Sequence, residues 1–202
     1  MLHGEYKKKI DLIIQEIIDL RRHIHAHPEL SGMEHQTAIL VAGHLKKIGW
    51  DVSESIGRTG VVAELGAKKA GFIGLRVDMD ALPIDENTDL NYSSKVNGIM
   101  HACGHDLHTC IGLGVAHLIK ELNLKYGTRL IFQPAEEIAS GARWMIEDGV
   151  TKDLKKILGV HVFPELSVGK IGIKEGSLTA AAGELSIEVK GKTGHGARPH
   201  EG

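Results

Sequence analysis

The N-terminal part of the chain repeats apolar residues at the spacing of an α-helix. From about Glu5 to His25, apolar side chains recur every three or four positions with charged residues between them, which predicts an amphipathic helix packed on a core. Pro28 follows and ends this helix. A second helix is predicted from about Glu34 to Ile48, with Gly49 as its C-cap.

The middle of the chain consists of short β-rich runs that alternate with helical segments. The predicted elements are, in order, strands at Trp50–Ser53, Gly60–Leu65 and Phe72–Val77, a helix from about Leu107 to Leu122, a strand at Thr128–Phe132, a helix around Trp144 that closes at Gly149, and a strand at Lys156–Val160. This alternation of strands and helices indicates an α/β fold.

Residues that can bind a metal ion lie just past the end of three of these strands. Asp78 and Asp80 follow the third strand, Glu136 and Glu137 follow the fourth, and His161 follows the fifth. The two aspartates can be an ordinary loop start, or they can be a carboxylate pair at the carboxyl edge of a sheet, where open α/β sheets bind ligands. The repetition favours a site at that edge.

The pattern changes beyond Val168, where apolar and polar residues alternate as in a strand. We expect residues 1–177 to form one domain and Leu178 to open a second unit, which residues 178–202 are too few to complete.

The richest group of donor atoms lies in the stretch Met100 to His108, which holds three imidazoles, one thiol and one carboxylate within nine residues. A thiolate with imidazoles and carboxylates is a ligand set suited to zinc and acceptable to manganese, cobalt or nickel. A structural zinc site is an alternative, but it leaves the carboxylates at the strand ends unexplained. The other histidines along the N-terminal helices are predicted to be exposed or capping, and apolar neighbours make Cys110 and His117 structural; those helix histidines are His23, His25, His27, His35 and His44.

Charge and composition exclude some partners. Lysine plus arginine (24) nearly balances aspartate plus glutamate (26), so neither nucleic acid nor an anionic membrane is an implied partner. We find no apolar run of the roughly 20 residues that a membrane span needs, and the start of the chain lacks the apolar region of a secretory signal. We therefore expect a cytoplasmic protein with reduced cysteines.

Adjacent glutamates suggest a division of labour. Because the side chains of Glu136 and Glu137 should diverge, one can bind metal while the other faces water as a general base. With a metal that acidifies water, the reaction class is hydrolysis of an amide or ester.

Five motifs, in this order and at these intervals, closely resemble the aminoacylase-like branch of the M20 metallopeptidases, namely RxDMDALP, HACGHDxH, FQPAEE, GxHVxP and GKxGHxAxPH. That branch includes N-acyl-amino-acid amidohydrolases, hippurate hydrolases, auxin-conjugate hydrolases and N-acetyldiaminopimelate deacetylases. The resemblance implies a three-layer α/β catalytic domain with a mostly parallel mixed sheet between helices, followed by the start of an α+β lid or dimerisation domain. It implies two divalent metal ions per complete site and an N-acyl amino acid as substrate.

Carried over by motif, the resemblance implies four metal ligands: Cys103, His105, Glu137 and His161. It implies that Glu136 is the general base and that Asp80 lies beside the metals and orients a ligand. It implies that His195, at the start of the lid, stabilises the oxyanion, often across a dimer.

The roles of the remaining polar residues near these ligands are less defined. Asp78 stands where many relatives have a histidine ligand, and its role stays open. We expect His101 and His108 to be outer-shell or helix-start residues, with Asp106 orienting one of those imidazoles.

The resemblance also implies a last metal-ligand histidine after the lid, beyond Gly202. The chain is therefore either part of a longer gene product, which forms a homodimer through the lid, or a naturally shortened protein. The alternatives to an amidohydrolase are a catalytically incomplete metal-binding module and a dipeptidase of the same superfamily.

Overall fold

The computed structural model describes residues 2–66, 70–120, 122, 124–179 and 185–202. Internal contacts divide the chain into residues 1–162 and residues 163–202. The domain boundary predicted between residues 177 and 178 stays a prediction.

Residues 1–162 alternate helices and strands as the hydrophobic pattern predicts. The helices are α1 (Leu2–Ala26), α2 (His35–Lys47), α3 (His105–Ile119) and α4 (Gly141–Glu147), and the strands are β1 (Asp51–Ile56), β2 (Gly60–Leu65), β3 (Phe72–Asp78), β4 (Gly127–Gln133) and β5 (Leu154–Gly159). Within the described ranges, no helix is both long and apolar enough to cross a bilayer.

The five strands form one mixed sheet in the order β1-β2-β4-β3-β5. Strand β2 is antiparallel to β1 and β4, whereas β3 is parallel to both β4 and β5. The carboxyl ends of the three neighbouring strands β4, β3 and β5 therefore meet at one edge of the sheet.

Helices cover both faces of this sheet. On one face, α2 and α3 bury Leu45 and Leu113 against Leu130 and Phe132 of β4, and α1 adds Ile17 and Leu20. On the other face, Met145 of α4 packs with Val62 and Ile131. The three-layer α/β prediction is confirmed.

Residues 163–202 differ from the strand-like pattern expected there. Their described part contains a 3₁₀ turn at Pro199–Glu201 and no strand, and the alternating apolar residues from Ile171 to Val189 are exposed. The strand expected from the alternation beyond Val168 is therefore wrong for the described residues, and residues 180–184 lie outside them. A strand needs a partner strand, and alternation alone does not supply one.

Two of the N-terminal histidines are buried, which contradicts the prediction that they are exposed or capping. His25 is 5% exposed and contacts Asp106 and Glu86. His44 is 8% exposed, and its Nε2 lies 2.8 Å from Nε2 of His117. His23, His27 and His35 are exposed, as expected. The partners of His25 and His44 come from distant parts of the chain, so local sequence does not reveal them.

Candidate metal centre

The predicted ligands meet at the carboxyl edge of the sheet, where β3, β4 and β5 end. His105 is shared by three groups of metal-competent side chains whose donor atoms lie within 4.8 Å of one another. One group adds Cys103 and His161, and another adds Glu136 and Glu137. The edge predicted from the strand ends therefore does bring these side chains together.

The ring of His105 is held so that one nitrogen is left open. Its Nδ1 lies 2.8 Å from the carbonyl oxygen of Asp80, which can only accept a hydrogen bond, so Nδ1 carries the proton. In the neutral ring Nε2 then has the lone pair, and this nitrogen is buried without a hydrogen-bond partner among the described residues. Metal-ligating histidines have this arrangement, in which a bond to the other nitrogen fixes the tautomer.

His161 repeats the same arrangement from the end of β5. Its Nδ1 donates a hydrogen bond to the carbonyl oxygen of Val162 at 2.7 Å, and its Nε2 lies 3.6 Å from Sγ of Cys103. The thiol and this imidazole nitrogen contact each other and are close enough to share one ion.

Gly104 lies between the two predicted ligands Cys103 and His105. It adopts φ +84°, and a Cβ on it would lie 2.4 Å from Cγ2 of Val162. Only glycine accommodates this backbone. His105 is the first residue of α3, two residues before the predicted start of that helix.

The two glutamates after β4 both approach His105 but differ in exposure. Oε2 of Glu136 lies 3.8 Å from Nε2 of His105, and Oε1 of Glu137 lies 3.7 Å from it. The Glu136 side chain is 38% exposed and that of Glu137 is 18% exposed. Glu137 is thus the more enclosed carboxylate, while Glu136 faces solvent, as a base that acts on water requires.

Asp80 contacts two of the predicted ligands, His105 and Glu137. Its Oδ1 lies 3.2 Å from Nδ1 of His105, and its Oδ2 accepts hydrogen bonds from the backbone N–H of Glu137 at 2.9 Å and the hydroxyl of Ser31 at 2.6 Å. These contacts are the ones that a ligand-orienting carboxylate makes. The role carried over to Asp80 stays a prediction.

Asp78 and His108 form a buried, hydrogen-bonded pair beside the predicted ligands. The backbone N–H of Val162 donates to Nε2 of His108 at 2.8 Å, so Nδ1 of His108 carries the proton and donates to Asp78 at 2.6 Å. Both nitrogens of His108 are therefore used, and His108 is not a free ligand although it lies among metal-competent groups. This pair ties the end of β3 to the residue after His161.

The predicted partner of Asp106 is wrong. Asp106 lies 2.8 Å from His25 and 2.7 Å from Arg21, both on α1, and not against the imidazoles of its own segment. His101 is 4% exposed, and neither ring nitrogen has a hydrogen-bond partner within the described ranges. Burial lowers the pKa of His101 to about 4, so this imidazole is neutral.

The electrostatics of the site show an excess of negative charge. Burial and the neighbouring Glu137 raise the pKa of the Cys103 thiol to about 12. Burial likewise raises the pKa of Glu137, although His105 opposes it. Burial lowers the pKa of His105, but Asp80 and Asp78 outweigh it and raise the pKa to about 8.

These residues fit divalent metal ions. Nε2 of His105 and Oε1 of Glu137 are buried and have no hydrogen-bond partner among the described residues. They lie in two groups of donor atoms that share His105: one adds Cys103 and His161, and the other adds Glu136 and Glu137. A cation bound by these donors would supply the missing partner and would reverse the pKa shift of the thiol. The donor set suits zinc and also accepts manganese, cobalt or nickel.

His195 belongs to the separate unit of residues 163–202. It is exposed, and its Nδ1 accepts a hydrogen bond from the backbone N–H of Ala197 at 3.2 Å. Its oxyanion role stays a prediction from the motif.

Sequence reasoning missed the residues that support the site from outside it. Ser31 binds Asp80, and Glu34 binds the backbone of Ala135 directly before the two glutamates. Glu34 had been interpreted only as the start of a helix. Its one sequence signal is an acidic residue at an N-cap position, and such residues usually serve their own helix.

Convergent open donors at the carboxyl edge of an α/β sheet define a candidate metal centre, and comparison with known proteins identifies the family. The sequence pattern of peptidase family M20/M25/M40 matches residues 74–200, and the chain belongs to this family. The recognition made from the five motifs is confirmed.

The individual relatives match this chain over about half of their own length. The N-acetyl-L-cysteine deacetylase of Bacillus subtilis is 45% identical over 93% of this chain and 46% of the relative. Thermostable carboxypeptidase 1 of Saccharolobus solfataricus is 47% identical over 92% of this chain and 49% of the relative. The chain thus spans about half the length of the curated relatives it matches.

A solved structure shows the same fold. The YXEP protein of Bacillus subtilis, described as a dinuclear metal-binding peptidase from the M20 family, has a TM-score of 0.78 and 44% identity, and covers 82% of this chain and 48% of that chain.

Proposed function

We propose that this protein is the N-terminal part of a metal-dependent amidohydrolase that cleaves the amide bond of N-acyl amino acids. The observation that carries the proposal is the convergence of two tautomer-fixed histidines, a thiol and two glutamates at the ends of three adjacent parallel strands. The deacetylase named above supports the substrate class, because it is 45% identical.

The chain's own residues can carry out the proton transfers of this reaction. Glu136 is the solvent-facing carboxylate, so it removes a proton from a water molecule as the oxygen attacks the carbonyl carbon. The carbon–nitrogen bond then breaks, and Glu136 delivers the proton to the leaving nitrogen. The products are a carboxylic acid and a free amino acid.

Divalent ions would be held by Cys103, His105, Glu137 and His161, and when bound they would polarise the substrate carbonyl and acidify water. The proposal includes two such ions per complete site. A complete site further includes the oxyanion contact of His195, and we propose a cytoplasmic homodimer for the full-length protein.

The test is a pair of variants, Glu136→Gln and the matched control Glu147→Gln, whose side chain is exposed on α4. We expect Glu136→Gln to keep its metal and to lower turnover of N-acetyl amino acids by about 100-fold to 10,000-fold, the usual contribution of a general base. The control should keep both. Turnover near wild type in Glu136→Gln would contradict the assignment of the base.

A second candidate is peptide hydrolysis, because the carboxypeptidase relative is 47% identical. Rates on acetyl-amino acids and on dipeptides, measured side by side, decide between the two substrates. A protein that binds metal and hydrolyses neither substrate at any metal loading would instead be a non-catalytic metal-binding module.

A further inference from the structure

Glu34 is a buried carboxylate that does not cap the helix it precedes. It occupies the N-cap position of α2, but its side chain makes no capping hydrogen bond to that helix. Its residue is 0% exposed. An N-cap carboxylate normally accepts from the first turn of its own helix, so another partner must hold this one.

Glu29 caps α2 instead. Its two carboxylate oxygens accept hydrogen bonds from the backbone N–H groups of Gln36 and Thr37, at 2.9 and 2.8 Å, and from the Thr37 hydroxyl at 2.9 Å. The helix therefore does not need Glu34.

Glu34 turns towards the loop that carries the proposed base. Its Oε1 accepts hydrogen bonds from the backbone N–H of Ala135 and of Gly32, both at 2.8 Å, and its Oε2 accepts one from the hydroxyl of Thr59. The bond to Ala135 joins two residues that are 101 positions apart in the sequence. A buried carboxylate with three donors is satisfied, and removing it would leave the buried donors of Ala135 and Thr59 and the part-buried N–H of Gly32 without this partner.

Ala135 needs this support because its backbone is left-handed. Its φ is +49°, a region that residues with a Cβ rarely adopt. Its carbonyl oxygen accepts hydrogen bonds from the N–H groups of Ser140 and Gly141, which close the loop behind the two glutamates. Such conformations persist only where surrounding contacts hold them.

The backbone of Glu136 is therefore anchored on both sides by buried carboxylates. The N–H of Ala135, before it, binds Glu34, and the N–H of Glu137, after it, binds Asp80. Asp80 in turn accepts the hydroxyl of Ser31, three residues before Glu34. One short loop, residues 31–34, thus supports both anchors.

We propose that Glu34 is a positioning residue that sets the place of the general base by holding the left-handed turn at Ala135. The inference rests on the proposed function in that Glu136 is the base. A displacement of about 1 Å at a catalytic group can cost about 100-fold in rate, so an anchor at the preceding residue has a measurable effect.

The experiment compares Glu34→Ala with the matched control Glu29→Ala, since each variant removes a carboxylate that accepts three hydrogen bonds. The readouts are amide hydrogen exchange, metal content, kcat and KM. We expect Glu34→Ala to speed exchange in residues 135–141 and to lower kcat by about 10-fold or more, with KM within about twofold. We expect Glu29→Ala to speed exchange at the start of α2 and to leave kcat near wild type.

Two further variants keep the inference testable if Glu34→Ala does not fold. Glu34→Gln retains a carbonyl oxygen that can accept both N–H groups, so it should restore slow exchange in residues 135–141 and most of kcat. Thr59→Val removes one of the three donors to Glu34. It should speed exchange in residues 135–141 and lower kcat as Glu34→Ala does, but by less.

Unchanged exchange in residues 135–141 in Glu34→Ala, or in Thr59→Val where the former does not fold, would overturn the inference. An equal fall in kcat in Glu29→Ala would also overturn it, because the effect would then follow from general destabilisation. The exchange readout does not depend on turnover, so it judges Glu34 even if Glu136→Gln disproves the proposed function.

Discussion

Two regions of the molecule each bring two histidines together, and only one of them is suited to a metal ion. At the carboxyl edge of the sheet, His105 and His161 each use Nδ1 on a carbonyl oxygen. Nε2 of His105 has no hydrogen-bond partner among the described residues, and Nε2 of His161 faces the thiol of Cys103, which is itself a metal-competent group. Between α2 and α3, the Nε2 atoms of His44 and His117 face each other at 2.8 Å, so each nitrogen is the partner of the other.

The difference teaches that proximity of imidazoles does not define a metal centre. The charges around the rings differ as well. Carboxylates and a thiol surround His105. At His44 and His117 the one carboxylate within ion-pair distance, among the described residues, is Glu16, which is 3.8 Å from Nδ1 of His44. A metal centre needs open nitrogens together with anionic donors.

The largest expected effect is on metal affinity. His105→Ala removes the side chain common to all three metal-competent groups, so affinity should fall by more than about 100-fold, because even outer-shell partners cost 10-fold to 100-fold. The control His117→Ala should keep the wild-type stoichiometry. Elemental analysis after dialysis measures both, and equal metal content in the two variants would erase the distinction between the regions.

The next effect is on stability at the edge of the sheet. His108→Ala breaks the buried bonds to Asp78 and to the N–H of Val162, and we expect a loss of about 2–4 kcal/mol in the free energy of unfolding. Urea unfolding measures this loss against the exposed control His35→Ala, which should stay within about 0.5 kcal/mol. A loss below about 1 kcal/mol for His108→Ala would contradict the buried pair.

The contact between His44 and His117 should contribute to stability only while both imidazoles are present. His44→Leu alone leaves the His117 nitrogen without its partner and should cost about 1 kcal/mol, whereas replacing both histidines by leucine should cost less than the sum of the single changes. A double-mutant cycle of unfolding free energies checks this. Strict additivity would show that the contact has no energetic weight.

The smallest effect is a dependence on pH. Burial and the neighbouring His117 lower the pKa of His44, and burial lowers that of His117, with Glu16 opposing and Lys47 reinforcing both shifts. The folded state therefore binds fewer protons, and this part of the stability is present above the unfolded pKa of about 6.5 and is lost as the pH falls below it. The urea midpoint of the double leucine variant should change less between pH 7.5 and 5.5 than that of the wild type. Equal slopes would contradict the shifts.

The sequence predicted the site edge well because its signals are local. Each strand is a continuous apolar run, and the polar residues that follow it, such as Asp80 and Glu137, must lie at the carboxyl edge once neighbouring strands are parallel. The ligand roles themselves came from the motifs and stay predictions.

The rest depends on contacts between distant segments, which periodicity does not encode. His25 meets Asp106 across 81 positions, His44 meets His117 across 73, and Glu34 meets Ala135 across 101. Immediate neighbours make His25, His44 and Glu34 look like surface or helix-end residues, so their distant partners are not predicted. The strand predicted from the alternation beyond Val168 is wrong for a related reason, because a strand also needs a pairing partner from a distant part of the chain.

The most direct test of the metal centre is the absorption spectrum of the cobalt-loaded protein, since cobalt accepts this donor set. We predict a thiolate-to-cobalt charge-transfer band that is present in the wild type, lost in Cys103→Ser and kept in Cys110→Ser, because Cys110 is buried on α3 outside the metal-competent groups. A band that survives in Cys103→Ser, or no band in the cobalt-loaded wild type, would contradict the assignment of Cys103 to the centre.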